Sequence, residues 1–134
     1  MAVTRDNNFL ITGSRDKCVK KISIRDQQVV KDFGEVCSNP IKTIQLAPGD
    51  ETLFIYNHKC NLKLIDLIDG RIIKDFGQCH NGGASGLQNM FVTRNGEYLF
   101  TSDKSGRFKQ FSVRGRALVQ DLGKIANSVY SLCD

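Results

Sequence analysis

Tryptophan is absent from this 134-residue chain, proline occurs twice, and aromatic residues make up only 8% of it. No apolar run approaches the roughly 18 residues a membrane-spanning helix needs, so no membrane partner is expected. The opening stretch, Met1–Asn8, is polar and lacks the apolar segment of a secretory leader. The five cysteines are odd in number and contain no Cys-x-x-Cys pair, a usage that fits reduced thiols and a cytoplasmic location. Nucleophilic catalysis needs a base beside an activated Ser or Cys, and a third group to orient that base. The only histidines are His58 and His80, and no Gly-x-Ser-x-Gly elbow occurs, so no catalytic residue is expected and the chain reads as non-enzymatic.

Other chemistry is equally sparse. Gly82, Gly83 and Gly86 lie in the longest irregular stretch, Gln78–Gly86, but no Gly-Lys-Ser/Thr follows them, which excludes a phosphate loop. His58-x-Cys60 and Cys79-His80 could supply two Cys and two His, yet their spacing matches no standard zinc site, and neither metal nor cofactor is expected. Cys18 and Cys60 follow or lie next to lysines, a placement that can lower a thiol pKa.

What the chain does have is a repeat. Lys-Asp-Phe-Gly stands at 31–34 and again at 74–77, and Gln-Asp-Leu-Gly echoes it at 120–123, at spacings of 43 and then 46 residues. A motif recurring at that period marks a repeat architecture in which each unit is one supersecondary element. Aligned on the motif, each unit holds four apolar segments of six residues or fewer, rich in Ile, Val, Leu and Phe and bounded by Gly, Asp, Asn or Arg turns. In the second unit these are Ile41–Leu46, Leu53–Ile55, Leu62–Leu67 and Ile72–Ile73. Segments that short cannot be helices, so the fold class is all-β, and four short strands per unit specify a propeller blade. The repeated Asp32, Asp75 and Asp121 are expected to shape a turn at the strand-end glycine.

The second unit resembles a WD40 repeat. Ile41-x-x-Ile44-x-Leu46 matches its inner strand, Pro48-Gly49-Asp50 its turn, Lys63-Leu64-Ile65-Asp66 its Trp-Asp ending and Gly77-x-x-His80 its Gly-His. The likeness runs through nearly the whole chain in three copies. Ile22, Ile65 and Phe111 hold the Trp position, Asp66 survives only once, and Cys37 and Ile125 replace His80 in its column. With those partners missing, the family's buried hydrogen-bond network is not expected, and core packing is left to hold the blades.

The resemblance implies one propeller segment over 1–134, with blades at 1–34, 41–77 and 86–123 and a further inner strand at 129–134. Three blades form an open arc, to be completed by the rest of a longer propeller or by a second copy in a homodimer that closes a six-bladed ring. It also implies that loops alternate between two rims. One carries Arg15, Lys17, Lys59, Lys104, Arg107 and Lys124 against Asp16, Glu35 and Asp103, while the other balances six basic residues with six acidic ones. The positive rim is the expected docking face for protein or peptide partners, acidic ones by preference, through Arg15, Lys17, His58, Lys59, Lys104 and Arg107. No aromatic residue is interleaved there, so nucleic acid is not an expected partner. The alternative is a small oligomeric propeller acting as a ligand-binding or enzymatic ring. The net charge of +5 suits an acidic partner or simple solubility.

Overall fold

Among the described residues each apolar segment of the repeat forms a β-strand, and twelve strands form three sheets. The computed structural model describes residues 1–81 and 87–125, with the side chains at 87 and 88 left aside. The loop 82–86 and the strand expected at 129–134 lie outside the described residues. The first sheet comprises Ala2–Val3 (β1), Phe9–Gly13 (β2), Cys18–Ser23 (β3) and Gln28–Glu35 (β4). The second comprises Ile41–Leu46 (β5), Thr52–Asn57 (β6), Asn61–Asp66 (β7) and Ile72–Gln78 (β8). The third comprises Leu87–Val92 (β9), Tyr98–Asp103 (β10), Arg107–Ser112 (β11) and Ala117–Lys124 (β12). Each sheet is an antiparallel meander in chain order, and the sheets stand side by side as an open arc, with β5 between β1 and β9.

Two apolar layers hold the arc together. Ile11 and Val19 of the first sheet pack with Ile41, Ile44, Leu53, Ile55 and Ile65 of the second. The other face of the second sheet packs Phe54, Tyr56, Leu62 and Leu64 against Met90, Leu99 and Phe111 of the third. Because the middle sheet is covered on both faces, Leu53-Phe54-Ile55-Tyr56-Asn57 is buried without interruption rather than alternating. The residues at the missing Trp position divide accordingly: Ile65 and Phe111 are core, and Ile22 is half-buried.

Strand register repeats as closely as sequence does. The cross-strand row Leu46–Leu53–Ile65–Ile72 of the second sheet leans on the first sheet, and Val92–Leu99–Phe111–Leu118 of the third leans on the second. The corresponding row of the first sheet is Val3–Leu10–Ile22–Val29. Its centre, Leu10 and Ile22, is half-buried where Leu53, Ile65, Leu99 and Phe111 are buried, while the outer end is about half exposed in all three rows, at Val29, Ile72 and Leu118.

The Lys-Asp-Phe-Gly motif does not end a strand, as the sequence suggests. It lies inside β4 and β8, and its echo inside β12, as a bulge. Asp32, Asp75 and Asp121 each accept a hydrogen bond from the glycine N–H two residues on, at 2.9, 2.8 and 2.9 Å. Gly34, Gly77 and Gly123 sit at φ of 67, 69 and 68°, and the partner strand shifts register beside each. The other carboxylate oxygen pairs with a lysine across the ladder: Lys20–Asp32 at 3.7 Å, Lys63–Asp75 at 3.7 Å and Lys109–Asp121 at 3.9 Å. One carboxylate thus fixes both the extra residue and its neighbour strand, three times over.

Candidate functional site

In antiparallel meanders of identical order, the turns β2–β3, β6–β7 and β10–β11 fall at the same end, together with the connections β4–β5 and β8–β9. These turns carry the expected docking residues: Arg15 and Lys17 on the first, His58 and Lys59 on the second, and Lys104 with Arg107 on and just after the third. The end is stapled rather than loose. Each turn has a left-handed residue at the same place, Lys17, Cys60 and Gly106. The neighbouring connections bond to the turn backbones through Val36 N–H to Lys17 C=O at 3.0 Å, His58 N–H to Pro40 C=O at 3.0 Å, and Cys79 N–H to Cys60 C=O at 2.9 Å. Side chains finish the turns: Asp16 accepts from Cys18 N–H and from the Ser14 hydroxyl, and Asn57 accepts from Lys59 and Asn61 N–H.

The six candidates are not equivalent. Lys17 is tied to Glu35 at 3.8 Å, whereas Arg15, His58, Lys59, Lys104 and Arg107 are exposed with no ion pair to any described residue. Asp103, counted as a rim charge from sequence, is buried and faces inward. That change leaves the exposed part of this end more basic than the sequence implies.

The inward turn of Asp103 builds a network that the sequence does not lead one to expect. His80, buried between the second and third sheets, has Nδ1 3.3 Å from the Asp103 carboxylate and Nε2 2.8 Å from the Thr101 hydroxyl. A carboxylate only accepts, so Nδ1 donates to it and Nε2 accepts from Thr101. Asp103 also takes the Ser105 hydroxyl at 2.6 Å and Arg107 N–H at 3.0 Å. Burial opposes its charge, but those hydrogen bonds together with His80 hold its pKa below the ordinary carboxylate value. Burial holds the His80 pKa below 6.5, Asp103 only partly offsetting it, so the ring is neutral near pH 7. The resemblance places an Asp at the Trp-Asp ending, whereas the acid used here opens the β10–β11 turn. The signal that could have found it is Thr101-x-Asp103 two residues apart on one strand face, opposite His80. At the junction of the first and second sheets the matching places hold Cys37, Ile55 and Asn57, so the network occurs once among the described residues.

The thiols of Cys18, Cys37 and Cys79 are not activated. Cys60 is buried rather than an exposed turn residue, and the lysine beside Cys18 does not lower its pKa. Desolvation raises the Cys18 thiol, with Asp16, Asp32 and Glu35 adding to it. Burial likewise pushes Cys79 up to about 11 and raises Cys37. Cys60 and Cys79 are brought together as the sequence allows, but His58 points to solvent and both nitrogens of His80 are engaged. No group of three potential metal ligands lies together among the described residues.

Comparison with known proteins agrees on architecture. No family model matches the chain, and no curated protein does. Among solved structures it is similar to the crystal structure of the WD40 beta propeller domain of Doa1, at 19% identity and a TM-score of 0.72. The match covers 96% of this chain and 41% of that one, so this chain spans well under half of the protein it matches. The three sheets are WD40-type propeller blades in an open arc, and no helix among the described residues is long and apolar enough to cross a membrane.

Proposed function

We propose that the chain is a non-enzymatic protein-interaction scaffold of the WD40 type, docking acidic peptide or protein segments on its basic rim in the cytoplasm. One observation carries the reading: exposed Arg15, Lys59, Lys104 and Arg107, with His58 beside them, stand at one end of three sheets whose turns are stapled by backbone hydrogen bonds. Cations held on a rigid frame bind an acidic segment at little ordering cost and raise its rate of encounter. The free thiols of Cys18, Cys37, Cys60 and Cys79 suit a reducing compartment. A further partner covers the apolar row of the first sheet, either a second copy closing a six-bladed ring or the remainder of a longer propeller. Changing Arg15, Lys59 and Lys104 together to Glu tests the rim. A fluorescein-labelled poly-Glu peptide, followed by polarisation at low salt, is expected to bind the parent chain and to lose at least about tenfold in affinity on the triple variant. Unchanged binding would refute the rim as the docking face.

A further inference from the structure

The clefts between adjacent sheets differ at their outer edge. Between the first and second sheets, Gly70, the left-handed residue of the β7–β8 turn at φ 78°, lies against the ring of Phe33, where an added Cβ would stand 3.2 Å from it. The third sheet has Arg116 at the matching turn position, still left-handed at φ 52°, and Phe76 takes the place of Phe33. That cleft holds a cavity of about 310 Å³, with Phe76, Phe111 and Leu118 as its apolar lining and Lys74 and Arg116 among its cations. Phe76 meets Phe111 edge-on, ring centroids 5.4 Å apart, so the apolar lining is fixed by ring packing. A second cavity of about 300 Å³ adjoins it through Gln78, Cys79 and Lys109 and continues the cleft toward the rim.

Charge decides what the cleft would take. Two of the acids along it are paired, Asp75 with Lys63 and Asp121 with Lys109, while Asp103 is buried and hydrogen-bonded to the neutral His80, the Ser105 hydroxyl and Arg107 N–H. Lys74 and Arg116 are exposed and have no ion pair among the described residues. A non-glycine residue in the left-handed region is disfavoured by about 1 kcal/mol or more; the first sheet also carries one at this turn, Gln27 at φ 55°, so what sets Arg116 apart is its charge. We infer that the cleft between β8 and β12 is a second docking site, separate from the rim, for an extended acidic peptide. One apolar side chain of the peptide would sit on Phe76 and Leu118, and its flanking carboxylates would meet Arg116 and Lys74.

The test uses the full chain and three fluorescein-labelled octapeptides: Asp/Glu with one central Phe, the same with Ser for Phe, and a Lys version with Phe. Arg116→Gly is the informative variant, because glycine suits the backbone at that position and the variant is expected to melt at or above the parent temperature. The acidic Phe peptide is expected to saturate, with at least about fivefold weaker binding to Arg116→Gly and to Lys74→Ala, and the Ser peptide weaker than the Phe peptide. The Arg15/Lys59/Lys104→Glu triple variant is expected to retain cleft binding of the Phe peptide, so failure of the rim and failure of the cleft give different patterns. Parent-like affinity in both Arg116→Gly and Lys74→Ala overturns the inference, as does equal binding of the Lys peptide or no saturable binding of any probe.

Discussion

His80 stores a neutral imidazole against its own tendency to protonate, and this gives the fold a pH dependence with a definite sign. Its folded pKa lies below the ordinary 6.5 because burial penalises the cation more than Asp103 favours it. Once unfolded, the ring protonates near 6.5, so the unfolded state binds more protons as pH falls through that value and stability drops. The stabilisation is fully present above pH 6.5 and is lost progressively below it. Asp103, whose folded pKa is also lowered, adds its own loss only as pH falls through 3.8 and below, outside that window. The melting temperature of the parent chain is expected to fall from pH 7.5 to 5.5. His80→Cys, which copies the Cys37 place at the other junction, is expected to melt lower at pH 7.5 and to show a much flatter slope. An undiminished slope in that variant would assign the effect elsewhere. The two halves of this network differ in legibility. His80 stands out in the sequence by the Gly77-x-x-His80 spacing. Its partners Thr101 and Asp103 do not, because they reach it only through the packing of one sheet on the next.

At the scale of the element, the repeated Asp-x-Gly bulge shows what a short motif can and cannot disclose. Its recurrence at 43 and 46 residues is enough to count the blades, and the aspartate–glycine partnership is a local one that spacing exposes. Its position inside the outer strand is not local. There Lys20, Lys63 and Lys109 on the neighbouring strand meet the carboxylate across the shifted register. Gly77 tests the device cleanly, since a Cβ there would meet nothing within 4 Å and only the backbone at φ 69° would object. Gly77→Ala is expected to cost about 1 kcal/mol in urea unfolding, and Gly77→Asn less, because Asn tolerates the left-handed region. Equal stability of the Ala variant would show that the bulge relaxes into a regular strand.

For the whole molecule, the first sheet poses the sharpest physical question. The centres of the rows equivalent to Val3–Leu10–Ile22–Val29 (Leu53–Ile65 and Leu99–Phe111) are buried against the preceding sheet in the second and third blades, yet here Leu10 and Ile22 are only half-buried and Val3 is 49% exposed. An apolar row across a sheet face favours association. Light scattering over a range of concentrations is expected to give a dimer of about 30 kDa, twice the 15.0 kDa chain, if a second copy covers it. Val3→Lys combined with Val29→Lys is expected to return that dimer to a monomer while leaving the two interior layers intact. A parent chain that stays monomeric at all concentrations would exclude the ring of two copies.

Composition, the 43–46-residue period and the short apolar segments were sufficient for the all-β class, the number of blades and the chain order of their strands. These follow from local rules: strand length, turn chemistry and the apolar content that each segment carries by itself. The burial of Asp103, the His80 network, the raised thiols of Cys18, Cys37 and Cys79, the bulge in the outer strand and the cavity over Phe76 came from the tertiary structure. Each depends on which face of one sheet meets which face of the next. That pairing joins residues far apart in the chain, and no single repeat encodes it.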